Sequence, residues 1–499
     1  MILGAIELTQ AIIVASVFAL ITVIGLFAGR WRAGDMDDLD EWSLGGRKFG
    51  GILTWFLQGG SVYTTYSFIA VPALVFGTGA LGFFALPYLV ITYVVAFIVV
   101  PKLWTLSAAK GYITPADFVR ARFGSRPLAL AITITGLVAT MPYIALQVYG
   151  IELCMSQIGL PVQASLWIAF AVLALVTYVS GLRSATLIAI VKDIFIWVTV
   201  IVAVIYIPIH LGGYAHAFSQ VPKSHLTLPG NLYADYATLA VGSGLALFLY
   251  PHTLTGALSS SSRFVVQRNS IFLPVYTLML GLLAILGYLA VAAHIPNDPH
   301  YGANIAVPAL FDTVFPPWFA GFALASIAVG ALVPAAMMAI AAANLFARNV
   351  YLEYINPQAT PKQQTHVSKL ASLVVKFGAV GFVIGVPTDF VINFQLAAGV
   401  WILQTLPAVF LGLLWRKLSS RAVLIGWAVG TAIGTFLLIK VGFKTSSYDF
   451  GWGTHHTKLF IGVPALAVNL VVAVGYTLFA RVHKEETEEA VALSAPSSG

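Results

Sequence analysis

The chain has 499 residues, 59% of them hydrophobic and 9% charged, and its mean hydropathy is +0.90. An ordinary soluble domain carries about 25% charged residues, so this composition excludes a string of soluble domains and indicates a polytopic membrane protein. The net charge of +7 does not call for a nucleic-acid partner, because the basic residues sit between apolar stretches, where they act as topology signals.

Stretches able to cross about 30 Å of hydrocarbon are expected at 6–29, 52–77, 81–106, 128–155, 163–181, 186–211, 236–257, 271–295, 317–346, 367–387, 391–414, 422–440 and 458–481. The first is preceded by Glu7 and followed by Arg30 and Arg32, the wrong polarity for a cleaved signal peptide. The second is interrupted between Phe56 and Phe68, where Gln58, Gly59, Gly60, Ser61, Thr64, Thr65 and Ser67 cluster. An unpaired backbone group in lipid costs several kcal/mol, so a weakened helix is tolerated only where it lines protein or a wet cavity. Close helix packing on small residues is the plainer alternative. A second interruption runs from Tyr250-Pro251-His252-Thr253 to Ser259–Ser262, at the end of 236–257. Five spans separate the two interruptions, the spacing of a five-plus-five inverted repeat whose first helices are both broken.

The expected organisation is a single transmembrane domain over 1–481. It comprises a leading helix at 6–29, five-helix repeats at 52–211 and 236–414, and trailing helices at 422–481. Residues 482–499 are expected to be a disordered tail. Assigning the connecting segments to alternate sides puts twenty Lys and Arg on one side and only Lys223, Lys440, Lys444 and Lys458 on the other. That bias places the N-terminus outside and the C-terminus in the cytoplasm.

Ionisable groups at membrane depth are functional candidates by default. Lys192 and Asp193 lie inside the sixth span; the bland alternative has Lys192 reaching the interface and Asp193 paired with Arg183. His252 follows Pro251, which withholds a backbone donor, and it offers a carboxylate contact or a proton relay unless it is simply satisfied within the bundle. Gln58, Ser61, Thr64 and Thr65 can hydrogen-bond a small anion at the exposed N–H groups of a half-helix, or can bond between helices. Pro334 is expected to kink its span, and Lys376 to snorkel. Cys154 stands alone, so no disulfide framework exists. His455-His456 lacks the ligands for a metal site.

Five segments carry a family resemblance: Trp42-Ser43-Leu44-Gly45-Gly46-Arg47; Gly111–Phe118 with Arg122-Phe123-Gly124; Ser180–Ala185 with Asp193; Val266-Gln267-Arg268; and Gly330-Ala331-Leu332 through Asn349-Val350-Tyr351. In this order the chain resembles the sodium:solute symporter family. The resemblance implies an all-α polytopic fold of about thirteen helices, a leucine-transporter-type inverted repeat with one leading and two trailing helices. The segments Tyr63–Pro72, Phe248–His252 and Gly330–Ala335 look like those of bacterial monocarboxylate permeases. That implies symport of lactate-, pyruvate- or acetate-like anions by alternating access in the bacterial inner membrane, with Gln58, Ser61, Thr64, Thr65 and His252 at the substrate.

Sodium-coupled members of the family hold Na⁺ with core-helix-one carbonyls, matched here by Gly60 and Tyr63, and with a carbonyl and two hydroxyls on core helix eight. Gly330 matches that carbonyl, but Val333 and Pro334 replace the hydroxyls, and a hard cation prefers oxygen. The family's Thr-Asp reads Lys192-Asp193, and an ammonium there can stand in for the cation, since a buried lysine changes protonation readily. Proton coupling is therefore expected, with Na⁺ coupling to another solute, such as proline or alanine, as the alternative. No cofactor, metal or obligatory protein partner is expected beyond the substrate and the bilayer. A sensor is disfavoured by the short tail, a channel by the lack of a repeated filter or charged ring, and an enzyme by the lack of a phosphate loop or nucleophile elbow.

Overall fold

The computed structural model describes residues 7–28, 37–386, 390–452 and 455–494. Arg30, Arg32 and the last five residues of the expected tail lie outside these. Among the described residues, eleven helices are long and apolar enough to cross a bilayer, against the thirteen expected. The differences fall at 52–77, where the first helix ends at Gly60 and the remainder runs on toward 81–106, and at 163–181, where the counted apolar stretch is only Val162–Leu175.

The centre of the molecule is the Pro317–Phe346 helix, which is buried along nearly its whole length. It packs on Arg126–Gln157, on Val162–His210, on the leading helix Leu8–Ala28 and on Pro361–Gly385. Its run of Ala and Gly keeps the surface small, so neighbouring backbones approach closely, the usual solution where lipid removes the hydrophobic drive for helix association. It passes through Pro334 as one helix.

Val162–His210 is continuous except at Gly181, where φ 55° and ψ −155° break the helix. A Cβ on Gly181 would lie 2.7 Å from the Trp42 carbonyl oxygen. Both the turn and the close approach require glycine there. Trp42 belongs to the short Leu39–Leu44 helix that leads into the first interrupted helix, Gly51–Gly60.

One feature departs from the sequence reading. The segment after Lys440 forms an antiparallel hairpin, Ser447–Trp452 with His455–Phe460. It grips the Tyr233–Ala246 helix: Ser447 Oγ donates to Asp235 Oδ1 at 2.6 Å, and Phe460 N donates to Thr238 Oγ1 at 3.0 Å. The final helix is Gly462–Ser494.

Candidate substrate and coupling site

The first interruption is built by side chains that replace helical backbone bonds. Gly51–Gly60 stops at Ser61, and a π-turn at Tyr66–Ala70 restarts the chain into Val71–Thr78. Between them Ser61 Oγ donates to Gln58 O at 2.6 Å, Thr64 Oγ1 accepts from Tyr66 N at 3.0 Å, and Ser67 Oγ donates to Val62 O. Thr65 N, left without a helical acceptor, donates to Gln147 Oε1 at 3.1 Å. The hydroxyls of Ser61 and Thr64, expected at the substrate, thus have local structural work. Gln58 Nε2 and Thr65 Oγ1 are buried without a hydrogen-bond partner, although the Thr65 side chain also presses on helix Arg126–Gln157 beside Gly150.

Lys192 closes the break from the side. Its Nζ donates to Gly60 O at 2.9 Å, to Tyr63 O at 3.0 Å and to Asp193 Oδ1 at 2.9 Å. Lys192 and Asp193 are both fully buried. Asp193 Oδ2 accepts from the Tyr276 hydroxyl at 2.7 Å, so the carboxylate has a partner on each oxygen. Arg183 instead pairs with Glu41 and donates to Gly45 O at 3.2 Å. The bland alternative of a snorkelling Lys192 and an Asp193–Arg183 pair is therefore not what this sequence folds into.

The Tyr276 ring explains an adjacent glycine. A Cβ on Gly59 would lie 2.0 Å from Tyr276 Cζ, and the ring also packs, tilted, against Tyr63 and Trp55 at centroid distances of 4.5 and 4.8 Å. Gly330 flanks the same place: a Cβ on it would lie 3.9 Å from Tyr63 O. Pro334 has no N–H to give the carbonyl four residues earlier, so Gly330 O loses its usual helical donor. Val333 and Pro334 are buried and bring no side-chain oxygen.

A sodium ion fits this donor set poorly. The Gly60 and Tyr63 carbonyls already accept from Lys192 Nζ, and an ion in their midst would have to displace it.

The second interruption is completed differently. Tyr233–Ala246 passes through a 3₁₀ turn, Leu247–Leu249, to an extended Tyr250, and Pro251 opens the next helix, Pro251–Leu258. His252 is fully buried, yet neither ring nitrogen has a hydrogen-bond partner. The rings of Tyr143 and Tyr250 flank it at 5.3 and 5.6 Å. The great majority of buried polar groups in proteins are paired, so the two open nitrogens beside two tyrosines make His252 a candidate to bond a ligand.

The two breaks face one another. A Cβ on Gly256 would lie 3.8 Å from Gln58 Cγ and 3.3 Å from Met337 Cε. Phe49, at the entry to the first break, bridges to the end of the second: Phe49 N donates to Ser259 O at 3.2 Å and Ser261 N to Phe49 O at 2.9 Å. Gly60, Tyr63, Lys192, Asp193 and Gly330 come together, while Gln58 adjoins the helix that carries His252.

Sequence reasoning missed Gln147, Tyr276, Tyr143 and Tyr250. The available signal was indirect: Asp193 needed a second donor, and Gly59 needed a reason to lack a side chain. Lys376 also departs from expectation, being fully buried with no partner on Nζ where it was expected to reach the interface.

The model of the sodium:solute symporter family matches residues 42–430. The chain is 49% identical to a monocarboxylate transport permease protein of Rhizobium johnstonii over 92% of its length and 94% of that protein. It is 35% identical to YodF, an uncharacterized symporter of Bacillus subtilis, over 90% of this chain and 91% of the other. Among solved structures, a Na⁺-coupled sialic acid symporter in a substrate-bound outward-open state superposes with a TM-score of 0.76 at 14% identity. The match covers 94% of this chain and 98% of the other. The backbone thus has the leucine-transporter-type fold, with its paired broken helices, whatever each protein carries. Family match, identity and fold agree: this polytopic membrane protein is a transporter that belongs to the sodium:solute symporter family.

Proposed function

We propose that the chain imports short monocarboxylates, such as lactate, pyruvate or acetate, with protons, and that Lys192 takes the place of the coupling sodium ion. The observation that carries this reading is the Lys192 ammonium between the Gly60 and Tyr63 carbonyls at 2.9 and 3.0 Å. Gly60 ends one half-helix and Tyr63 lies in the turn toward the next, so a protonated Lys192 staples the break to the helix that carries it. Loss of the proton removes the positive charge and leaves two N–H donors for three acceptors, the Gly60 and Tyr63 carbonyls and Asp193 Oδ1; where the carbonyls keep them, Asp193 loses its Lys192 bond. The Tyr276 hydroxyl would then be the remaining partner of Asp193. The equilibrium between two arrangements of the first helix follows the protonation of Lys192, because only differential interaction can shift such an equilibrium.

The substrate reading rests on the named permease relative and on the open polar groups at the two breaks, Gln58 Nε2 at the first and His252 at the second. A carboxylate would take donors from His252 and Gln58 Nε2 in a space walled by aromatic rings. The charge bias of the connecting segments supports an N-terminus outside the bacterial inner membrane and a C-terminus in the cytoplasm. The test is uptake of labelled lactate into proteoliposomes with Na⁺ and pH gradients imposed separately. Accumulation driven by the pH gradient with choline in place of Na⁺ supports the reading; strict dependence on Na⁺ overturns it.

A further inference from the structure

A cleft of about 530 Å³ opens between residues 110–130 and the Ala347–Ile355 segment, on the face that holds most of the basic residues. It shares no lining residue with either break. Ala347–Ile355 is wound as a π-helix, a rare form that gathers at functional sites. Four cations line the cleft, Lys110, Arg120, Arg126 and Arg348, against two carboxylates, Asp117 and Glu353.

The carboxylates are largely spoken for. Asp117 Oδ2 accepts from Ile113 N and Thr114 N at 2.9 and 3.1 Å, and Oδ1 accepts from Asn349 Nδ2 at 2.8 Å. Glu353 Oε1 is shared by Arg120 and Arg126 at 3.0 and 2.9 Å. Arg348 is left 3.7 Å from Asp117, with its Nε lacking any hydrogen bond. Positive charge is in surplus among the lining residues, and Arg348 Nε, ion-paired with Asp117 at 3.7 Å, has no hydrogen bond.

The apolar wall of the cleft says what kind of anion fits. Leu130 lines it, and Ile134 and Val138 follow at four-residue spacing on the same helix face, exposed at 46% and 38%. This stripe leads from the cationic mouth along the membrane-crossing helix Arg126–Gln157. A soluble phosphate has no use for such a track, whereas a phospholipid needs both parts. We propose that the cleft binds one anionic phospholipid, with its phosphate at Arg348, Lys110 and the Arg120–Arg126 pair and an acyl chain along Leu130, Ile134 and Val138. Basic pockets between helices at the cytoplasmic side hold anionic headgroups in this way. Seated there, the lipid joins the 111–126 connection to the end of the central helix.

The test is native mass spectrometry of the purified full chain after exposure to equal amounts of phosphatidylglycerol and phosphatidylcholine. Wild type should retain phosphatidylglycerol preferentially. Lys110→Gln with Arg348→Gln should lower that retention on the order of ten-fold, while Lys417→Gln, an exposed basic position outside the cleft, should not. Should the double variant fail to fold, Ile134→Trp blocks only the apolar track, at an exposed position, and should lower retention with the cations intact. Equal retention of the two lipids by wild type, or undiminished phosphatidylglycerol in every folded cleft variant, overturns the proposal. So does inorganic phosphate stabilising the protein in phosphatidylcholine as well as phosphatidylglycerol does, since the cleft would then take a soluble anion. None of these results bears on Lys192, so the transport reading stands or falls separately.

Discussion

The two interrupted helices carry similar polar content and face one another, yet the chain finishes them in opposite ways. At the first break the freed backbone groups are largely claimed from within, although side-chain atoms such as Gln58 Nε2 and Thr65 Oγ1 stay open. Lys192 takes two carbonyls, Gln147 receives Thr65 N, and Ser61, Thr64 and Ser67 cap their own turn. At the second break His252 keeps both nitrogens open between two tyrosines. A break closed on an internal cation is suited to gating, and a break left open is suited to recognition. Under the proposed function the contrast gives coupling chiefly to the first break and substrate binding chiefly to the second, with Gln58 as the first break's contribution to the substrate.

Disrupting the closed break should have the largest effect. Lys192→Ala strands Asp193 in the core with only the Tyr276 hydroxyl, and removing one partner of a buried pair costs about 3–5 kcal/mol. Thermal or chemical unfolding in detergent should show that loss. Lys192→Met with Asp193→Asn should recover most of the stability while leaving pH-driven uptake abolished. If the double variant transports normally, the two sites are not divided as the contrast requires.

Next comes Gly59→Ala. Its methyl would meet the Tyr276 ring at 2.0 Å, and overpacking of this kind typically costs about 1–3 kcal/mol. Tyr276→Ala in the same chain should relieve the clash, so the two losses should be strongly non-additive. Additive losses would mean that the ring does not lie over Gly59.

At the open break the effect should fall on transport more than on stability. His252→Ala should weaken lactate uptake several-fold, more than the stability lost to the cavity left between Tyr143 and Tyr250 accounts for. A large drop in stability with unaltered uptake would reverse the assignment. The smallest effect is expected of Thr64→Ala, which removes a hydroxyl that caps Tyr66 N, worth about 1 kcal/mol. Uptake should follow the loss of folded protein and no more.

Both breaks were legible in the sequence because lipid makes polar residues in an apolar span conspicuous. Lys192, Asp193 and His252 announced themselves on the same ground. Tyr276 did not: a tyrosine in a membrane span is ordinary, and its bond to Asp193 crosses 83 positions. Tyr143 and Tyr250 were hidden likewise, since an aromatic ring near an interruption reads as packing. Ser61 and Thr64 were legible as hydroxyls, but their local bonds to Gln58 O and Tyr66 N were not, because side-chain-to-backbone caps depend on where each turn closes. The hairpin after Lys440 was missed because its grip on Asp235 and Thr238 is long-range.

The most direct test of the central claim is lactate-driven proton entry into Na⁺-free proteoliposomes, followed with an internal pH-sensitive dye for wild type and Lys192→Met/Asp193→Asn. The account predicts acidification with lactate in wild type and none above the protein-free baseline in the double variant. Equal acidification by both, or none in wild type until Na⁺ is supplied, would contradict it.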